Sequence, residues 1–267
     1  MNNENSPNRI DGIKERDLVL ISWDGKSPLH QFVLFDAVPA FDLLTFDYSG
    51  SAVKPPPIAA NHFFMSERTE CKGHIYQAAS RFLDQSDVNY RFIGLIDDDI
   101  VLKLSDINFL LHIAARFGLH SVAPALTHDS FFTYRHTLRQ QERLFHPVPW
   151  VEVMMPFYRV DLFRMAAPFF RHSISSWGLD VFVMPMFQKF ANMERTAVID
   201  AVAATHMRTI QSGGKVYSNG LTAIEEMEKL RHLCIAHIRE TRPELIETEW
   251  FQATFGGTIG DNAVQRV

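Results

Sequence analysis

The sequence predicts a single α/β domain with a mostly parallel central sheet flanked by helices. Two observations carry that reading. Short apolar runs too brief for helices alternate with longer amphipathic segments, the order expected of strand–helix–strand units. Several of those runs also end abruptly in polar, turn-forming residues, as strands do when they deliver side chains to one edge of a sheet. The size and composition agree. The 267 residues suit one large domain or two small ones, and 46% hydrophobic with 21% charged residues is an ordinary globular balance.

In chain order, residues 1–16 are polar and read as a leader without a signal-peptide core. Asp17–Ser22 is the first strand, followed by a turn from Trp23 to Pro28. Gly25, Ser22 and Ser27 make that turn either a nucleotide contact or an ordinary strand-to-helix loop. Phe41–Phe46 repeats the arrangement and ends in Asp47 and Tyr48. Lys54 to Pro57 is a rigid loop, because consecutive prolines fit neither helix nor sheet interior. His62–Met65 is a short strand or connector, and Glu70–Leu83 is a helix burying Ile75, Ala78, Ala79 and Phe82.

Tyr90–Leu102 organises the rest. Phe92, Ile93, Leu95 and Ile96 form a buried strand that runs directly into Asp97, Asp98 and Asp99. Three adjacent carboxylates repel one another and are costly to bury without a positive partner. Two readings follow: a solvated acidic turn with one Asp capping the next helix, or a site for a hard divalent cation with oxygen ligands.

Ser105 then caps a helix with Ile107, Leu110, Leu111, Ala114 and Phe117 on its buried face, stopped by Gly118. His120–Leu126 is a further strand. Thr127 to Trp150 is a polar insertion at the rim of the site, crowded with His128, Tyr134, Arg135, His136, Arg139, Arg143 and His146. Its basic side chains either meet a phosphate or acidic acceptor or form a solvated face. Val151–Tyr158 resumes as strand, and Val160–Phe169 as helix. Gly178 turns the chain sharply before Asp180, which reads as the N-cap of a helix carrying Val181, Met184, Phe187 and Phe190, or as a base kept ionised by that helix end. Thr196–His206 is a strand, Gln211–Lys215 a flexible loop, and Thr222–Glu225 a capping box opening a helix to about Arg239. The tail beyond Pro243 holds Trp250, Phe251 and Phe255, as a lid or a frayed end.

The net charge of −5 and the lack of a long basic run argue against non-specific nucleic-acid or anionic-membrane binding. Cys71 and Cys234 have no metal-ligand spacing and read as reduced and buried. With no apolar segment long enough to span a bilayer, the expected location is cytoplasmic.

Four stretches, Tyr90–Asp99, Val151–Phe157, Trp177–Asp180 and Val198–Asp200 with His206, resemble in this order the GT-A fold of nucleotide-sugar glycosyltransferases. More narrowly they resemble an uncharacterised plant and bacterial family once labelled lysine-ketoglutarate-reductase-related. The resemblance implies a GT-A-like domain over 17–240, with a nucleotide-sugar half at 17–126, an acceptor half at 127–240, and a tail at 241–267. It implies that Asp97 and Asp99 are the acids of an Asp-x-Asp signature, with Asp99 and His206 holding Mn²⁺ or Mg²⁺. Donor contacts would come from Ser22, Trp23, Asp47, Lys72, Asp97 and Asp98; acceptor contacts from Glu152, Trp177 and Gly178. Asp180 would be the general base of an inverting transfer from a UDP-sugar to a hydroxyl on a glycan, lipid-linked sugar or modified nucleobase. Two departures are present: the segment after His206 lacks the family's Pro-containing run, and Pro185 follows Asp180. The competing functions are a non-catalytic scaffold binding a nucleotide or glycan, and a metal-dependent phosphohydrolase.

Overall fold

The computed structural model describes residues 15–28, 33–209 and 214–256. Most of the 1–16 leader, part of the 211–215 loop and the end of the tail lie outside them. The strands are β1 (Arg16–Trp23), β2 (Val33–Leu34), β3 (Asp42–Asp47), β4 (His62–Ser66), β5 (Tyr90–Ile96), β6 (Ile100–Lys103), β7 (Ser121–Leu126), β8 (His146–Pro147), β9 (Phe157–Arg159) and β10 (Thr196–His206). The helices are α1 (Lys72–Gln85), α2 (Leu104–Arg116), α3 (Val160–Phe170), α4 (Met184–Ala191), α5 (Ala223–Thr241) and α6 (Glu249–Phe255).

The strands form one mixed sheet in the order β2-β6-β10-β7-β9-β5-β1-β3-β4, with β8 beside β10. β4, β3, β1 and β5 are mutually parallel, and β7 and β10 run the same way. The short β9 lies antiparallel between β5 and β7. The sheet is covered on both faces, so its central strands are buried without interruption. Along β1, Leu18 and Leu20 pack under α1, α3, α5 and α6, whereas Val19 and Ile21 pack with α2 on the opposite face. This alternation is the two-residue period of a strand.

Four local expectations are corrected. Only Phe157 and Tyr158 of the Val151–Tyr158 run are strand, as the start of β9; the residues before them turn, because Pro156 has no N–H to give a ladder and the chain must carry Glu152 and Val153 across the strand ends. The second helix is preceded by Lys103 rather than capped by Ser105, whose N–H and hydroxyl are engaged by Asp36, 69 positions away. Phe117 follows that helix, is 39% exposed, and packs edge-on against Phe145 of the insertion. Cys234 is buried, but Cys71 is only partly so. The tail helix α6 is docked: Phe255 is buried and stacks on Phe182, and Arg231 donates to its carbonyl.

Gly94, in the middle of β5, tests this packing. A Cβ there would meet the buried Phe157 ring at 2.4 Å. Gly94→Ala is predicted to cost about 1–3 kcal/mol through overpacking, read as a lower urea midpoint with unchanged slope; an unchanged midpoint contradicts the packing described.

Candidate active site

Strand direction brings the predicted residues to one edge. Because β1, β3 and β5 are parallel and in register, their ends put Ser22, Trp23, Asp47 and Asp97 side by side. β10 ends on the same edge at His206. There β6 pairs with it antiparallel, Ile100 opposite His206, and the Met207 N–H donates to the Asp99 carbonyl at 2.9 Å. Backbone pairing thus joins residues 99 and 206.

Their side chains face each other, with His206 Nε2 3.4 Å from Asp99 Oδ2. His206 Nδ1 is 2.8 Å from the Phe131 carbonyl, which can only accept, so Nδ1 carries a hydrogen. Nε2 then turns a lone pair toward a carboxylate unless a cation lies between them, either a proton or a metal ion. Burial disfavours the imidazolium, but Asp99 and the Phe131 carbonyl outweigh it and raise the His206 pKa. Burial likewise opposes the Asp99 charge, yet His206, Arg208 and Lys72 together hold its pKa low. Asp99 Oδ1 is out of solvent with no hydrogen-bond partner. An oriented imidazole, a carboxylate with an orphaned buried oxygen and a back-side hydrogen bond fixing the ring fit a Mn²⁺- or Mg²⁺-type ion. Among the described residues no cage of three or more His, Cys, Asp or Glu side chains exists. Such a pair would leave most of an ion's positions to water and substrate, the usual habit of Mg²⁺ at phosphates.

Of the remaining acidic residues, Asp97 is paired with a lysine. Lys72, buried at the start of α1, donates to Asp97 Oδ1 at 2.6 Å and to the Met154 carbonyl at 3.0 Å. A cation at a helix N-terminus is disfavoured by the helix dipole, so this position is held by its acceptors. Burial pushes Asp97 up to about 6 against the pull of Lys72, with Asp99 and Asp98 adding to the rise. Asp98 accepts from the Tyr48 hydroxyl at 2.7 Å and meets Arg208 at 3.2 Å. A crevice runs beside the triplet, lined in part by Ser22, Trp23, Asp24, Ser27, Asp97 and Asp98. Ser22 Oγ is buried and unpartnered there, whereas Trp23 Nε1 donates to the Ser27 carbonyl. Asp47 is spoken for. Its carboxylate accepts from the N–H groups of Ser49, Ser51 and Ala52 and from Ser66 Oγ. Those donors overcome burial and hold it down at about 2, so it organises the turn after β3.

Asp180 is approached from the other side. It does not cap a helix: Leu179–Val183 is a single π-turn preceding α4. Gly178 precedes that turn at φ +89°, a left-handed conformation that glycine adopts freely. Asp180 Oδ1 accepts from the Val181 N–H at 2.9 Å and Oδ2 from the Val153 N–H at 3.3 Å. Burial outweighs these donors and pushes its pKa up to about 6, against the low value expected of a helix N-terminus. Glu152, adjacent to Val153, has Oε2 buried and unpartnered, and burial together with the Asp180 charge pushes it up to about 8. Trp177, partly buried, packs against the core beneath this turn.

Sequence reasoning missed the clamp that aims this segment. Glu226 on α5 is fully buried and accepts from the N–H groups of Ile174 and Ser175 and from Asn219 Nδ2. It was hidden inside a capping-box pattern, one residue past the Glu225 that completes the box. It missed Arg208 as well, which the sequence offers only as an isolated cation after His206.

The overall fold is similar to that of GalNAc-T7 crystallised with UDP, GalNAc and Mn²⁺, at TM-score 0.51 and 8% identity over 92% of this chain and 53% of that one. A weaker likeness, TM-score 0.48 and 10% identity, is to S. aureus TarS 1–349 in complex with UDP-GlcNAc, over 88% of this chain and 67% of that one. The chain therefore spans about half to two thirds of the length of these structures. No family model and no curated relative matches the sequence. At such identity the likeness establishes architecture: the chain has a GT-A-like α/β fold with a mixed, mostly parallel sheet. No helix among the described residues is long and apolar enough to cross a membrane.

Raised carboxyl pKa values have a sign that can be checked. A Glu152 that binds its proton more tightly folded than unfolded contributes stability below its unfolded pKa near 4.5 and loses it as pH rises through about 8. Glu152→Gln removes that titration. Its melting temperature is predicted to gain on the wild type progressively between pH 5 and 8; parallel curves would contradict a buried, strained carboxyl.

Proposed function

We propose that this chain is a metal-dependent glycosyltransferase that moves a sugar from a nucleotide diphosphate, UDP being the expected carrier, to an acceptor hydroxyl with inversion. The observation that carries the reading is the Asp99–His206 pair, whose facing acceptor atoms call for a cation beside a crevice at the strand ends. The Trp177–Asp180 run further supports kinship with the plant and bacterial family named above. The free cysteines suit a reducing, cytoplasmic setting.

In this mechanism Asp99 and His206 would hold Mn²⁺ or Mg²⁺, which when bound would supply positive charge to offset that of a diphosphate leaving group. The nucleotide lies along Ser22, Trp23 and the neighbouring turn, with the unpartnered Ser22 hydroxyl available to it. Lys72 balances Asp97 and keeps the carboxylates from repelling the donor. Asp180, ionised above pH 6, takes the proton from the acceptor hydroxyl. Glu152, protonated near neutrality, donates a hydrogen bond to the acceptor. Two carboxyls whose surroundings separate their pKa values are suited to such divided work. Trp177 and Gly178 shape the turn that presents Asp180. The half 17–126 thereby serves the donor and the half 127–240 the acceptor, with His206 reaching across to the metal.

UDP release from a panel of UDP-sugars, to water or to added glycosides, tests the reading. Asp180→Asn is predicted to lower turnover by about 10²–10⁴-fold, the range of general-base catalysis, while leaving metal-dependent UDP affinity unchanged. Turnover equal to wild type removes Asp180 as base. Separately, wild-type kcat/KM should fall below pH about 6 as Asp180 protonates, and the residual activity of Asp180→Asn should lack that limb. An identical limb in both assigns the titration to another group.

A further inference from the structure

Arg208 stands two residues beyond the end of β10 and has no part in the chemistry proposed above. Its Nη1 lies 3.2 Å from each carboxylate oxygen of Asp98 and 4.0 Å from Asp99 Oδ2. Asp99 Oδ2 is the same atom that faces His206 Nε2 at 3.4 Å. Asp24, which lines the crevice together with Asp97 and Asp98, also feels the Arg208 charge. One guanidinium is therefore shared among three carboxylates at the edge where a divalent ion would join them.

The two cations of this edge are held very differently. The Lys72 side chain is 9% exposed and is tied both to Asp97 and to the Met154 carbonyl. The Arg208 side chain is 52% exposed, and its listed acid partners are fixed without it. Asp98 accepts from the Tyr48 hydroxyl, and strand pairing sets residue 99 against 206. A half-exposed ion pair adds little to folding stability, so this contact can open while the sheet stays intact. It is not neutral toward a metal, however. An ion held by Asp99 and His206 would share Asp99 Oδ2 with the guanidinium, and like charges at that separation repel strongly in a partly buried setting.

We infer that Arg208 is a built-in competitor for the divalent ion, a protein cation that neutralises Asp98 and Asp99 and must swing aside before the ion binds. The inference rests on Asp99 and His206 forming the metal pair. Its consequence is reciprocal: whatever draws the guanidinium away tightens metal binding, and metal binding frees the guanidinium.

Titration of Mn²⁺, with the free ion followed by electron paramagnetic resonance and no nucleotide present, tests this on four proteins. They are wild type, Arg208→Met, Arg116→Met and Asp99→Ala. Methionine removes the charge without adding an oxygen ligand, and Arg116, exposed in the last turn of α2, controls for net charge. Arg208→Met should bind Mn²⁺ at least about fivefold more tightly than wild type, the lower end of ordinary coupling between linked sites. Arg116→Met should match wild type. Equal or weaker affinity in Arg208→Met, or the same gain in Arg116→Met, overturns the competition. If binding is nevertheless lost in Asp99→Ala, the metal pair stands and the role of Arg208 alone is removed. Asp99→Ala binding as well as wild type, or no binding in any of the four, removes the metal pair and this inference with it.

Discussion

The structure is governed by an excess of carboxylate charge at the ends of its central strands. Asp97, Asp99, Asp180 and Glu152 converge where Lys72 is the buried lysine and His206 the partnered imidazole, with Arg208 at the rim. Each carboxylate answers the shortage differently. Asp97 takes the lysine and Asp99 the histidine, while Asp180 accepts backbone N–H groups and Glu152 keeps its proton. Isolated buried charges would neutralise themselves in this way wherever they are not paired. A concentration of negative charge in a crevice is a poor host for a diphosphate until a cation joins it, so the proposed donor and metal would bind together.

The sheet supplies that charge geometry with little freedom. Parallel strands end on a common edge, and the antiparallel β6–β10 pairing fixes residue 99 against 206. Around Asp180 positioning is done by loops instead, so fixed contacts must replace the sheet. Glu226 collects the N–H groups before Trp177, and Asp200 with His146 anchors the insertion. Both clamps are buried carboxylates satisfied by several donors, the condition under which such groups confer shape rather than strain.

Much of this was legible in the residues because burial on both faces leaves strong marks. β10 spans Thr196–His206 as its apolar run implies, and the run Phe92–Ile96 leads straight to the acidic edge. The failures share one cause, contacts distant in sequence. Ser105 looks like a cap until Asp36 arrives from another loop. Val151–Tyr158 has strand character, but tertiary demands turn its first half past the site. Asp180 sits where a helix should begin, yet Gly178 and the Glu226 clamp fold it into a π-turn, and its burial reverses the expected direction of its pKa. Asp47 follows a strand just as Asp97 does; only the hydrogen-bond inventory separates a turn organiser from a member of the charged cluster.

In the proposed function the Asp99–His206 pair binds a divalent ion that in turn holds a nucleotide diphosphate. Isothermal titration of UDP into wild-type protein, with Mn²⁺ and with chelator, and into Asp99→Ala with Mn²⁺, tests it most directly. Heat of binding is expected only for wild type with Mn²⁺. Equal UDP affinity under all three conditions, or none in any, would contradict it.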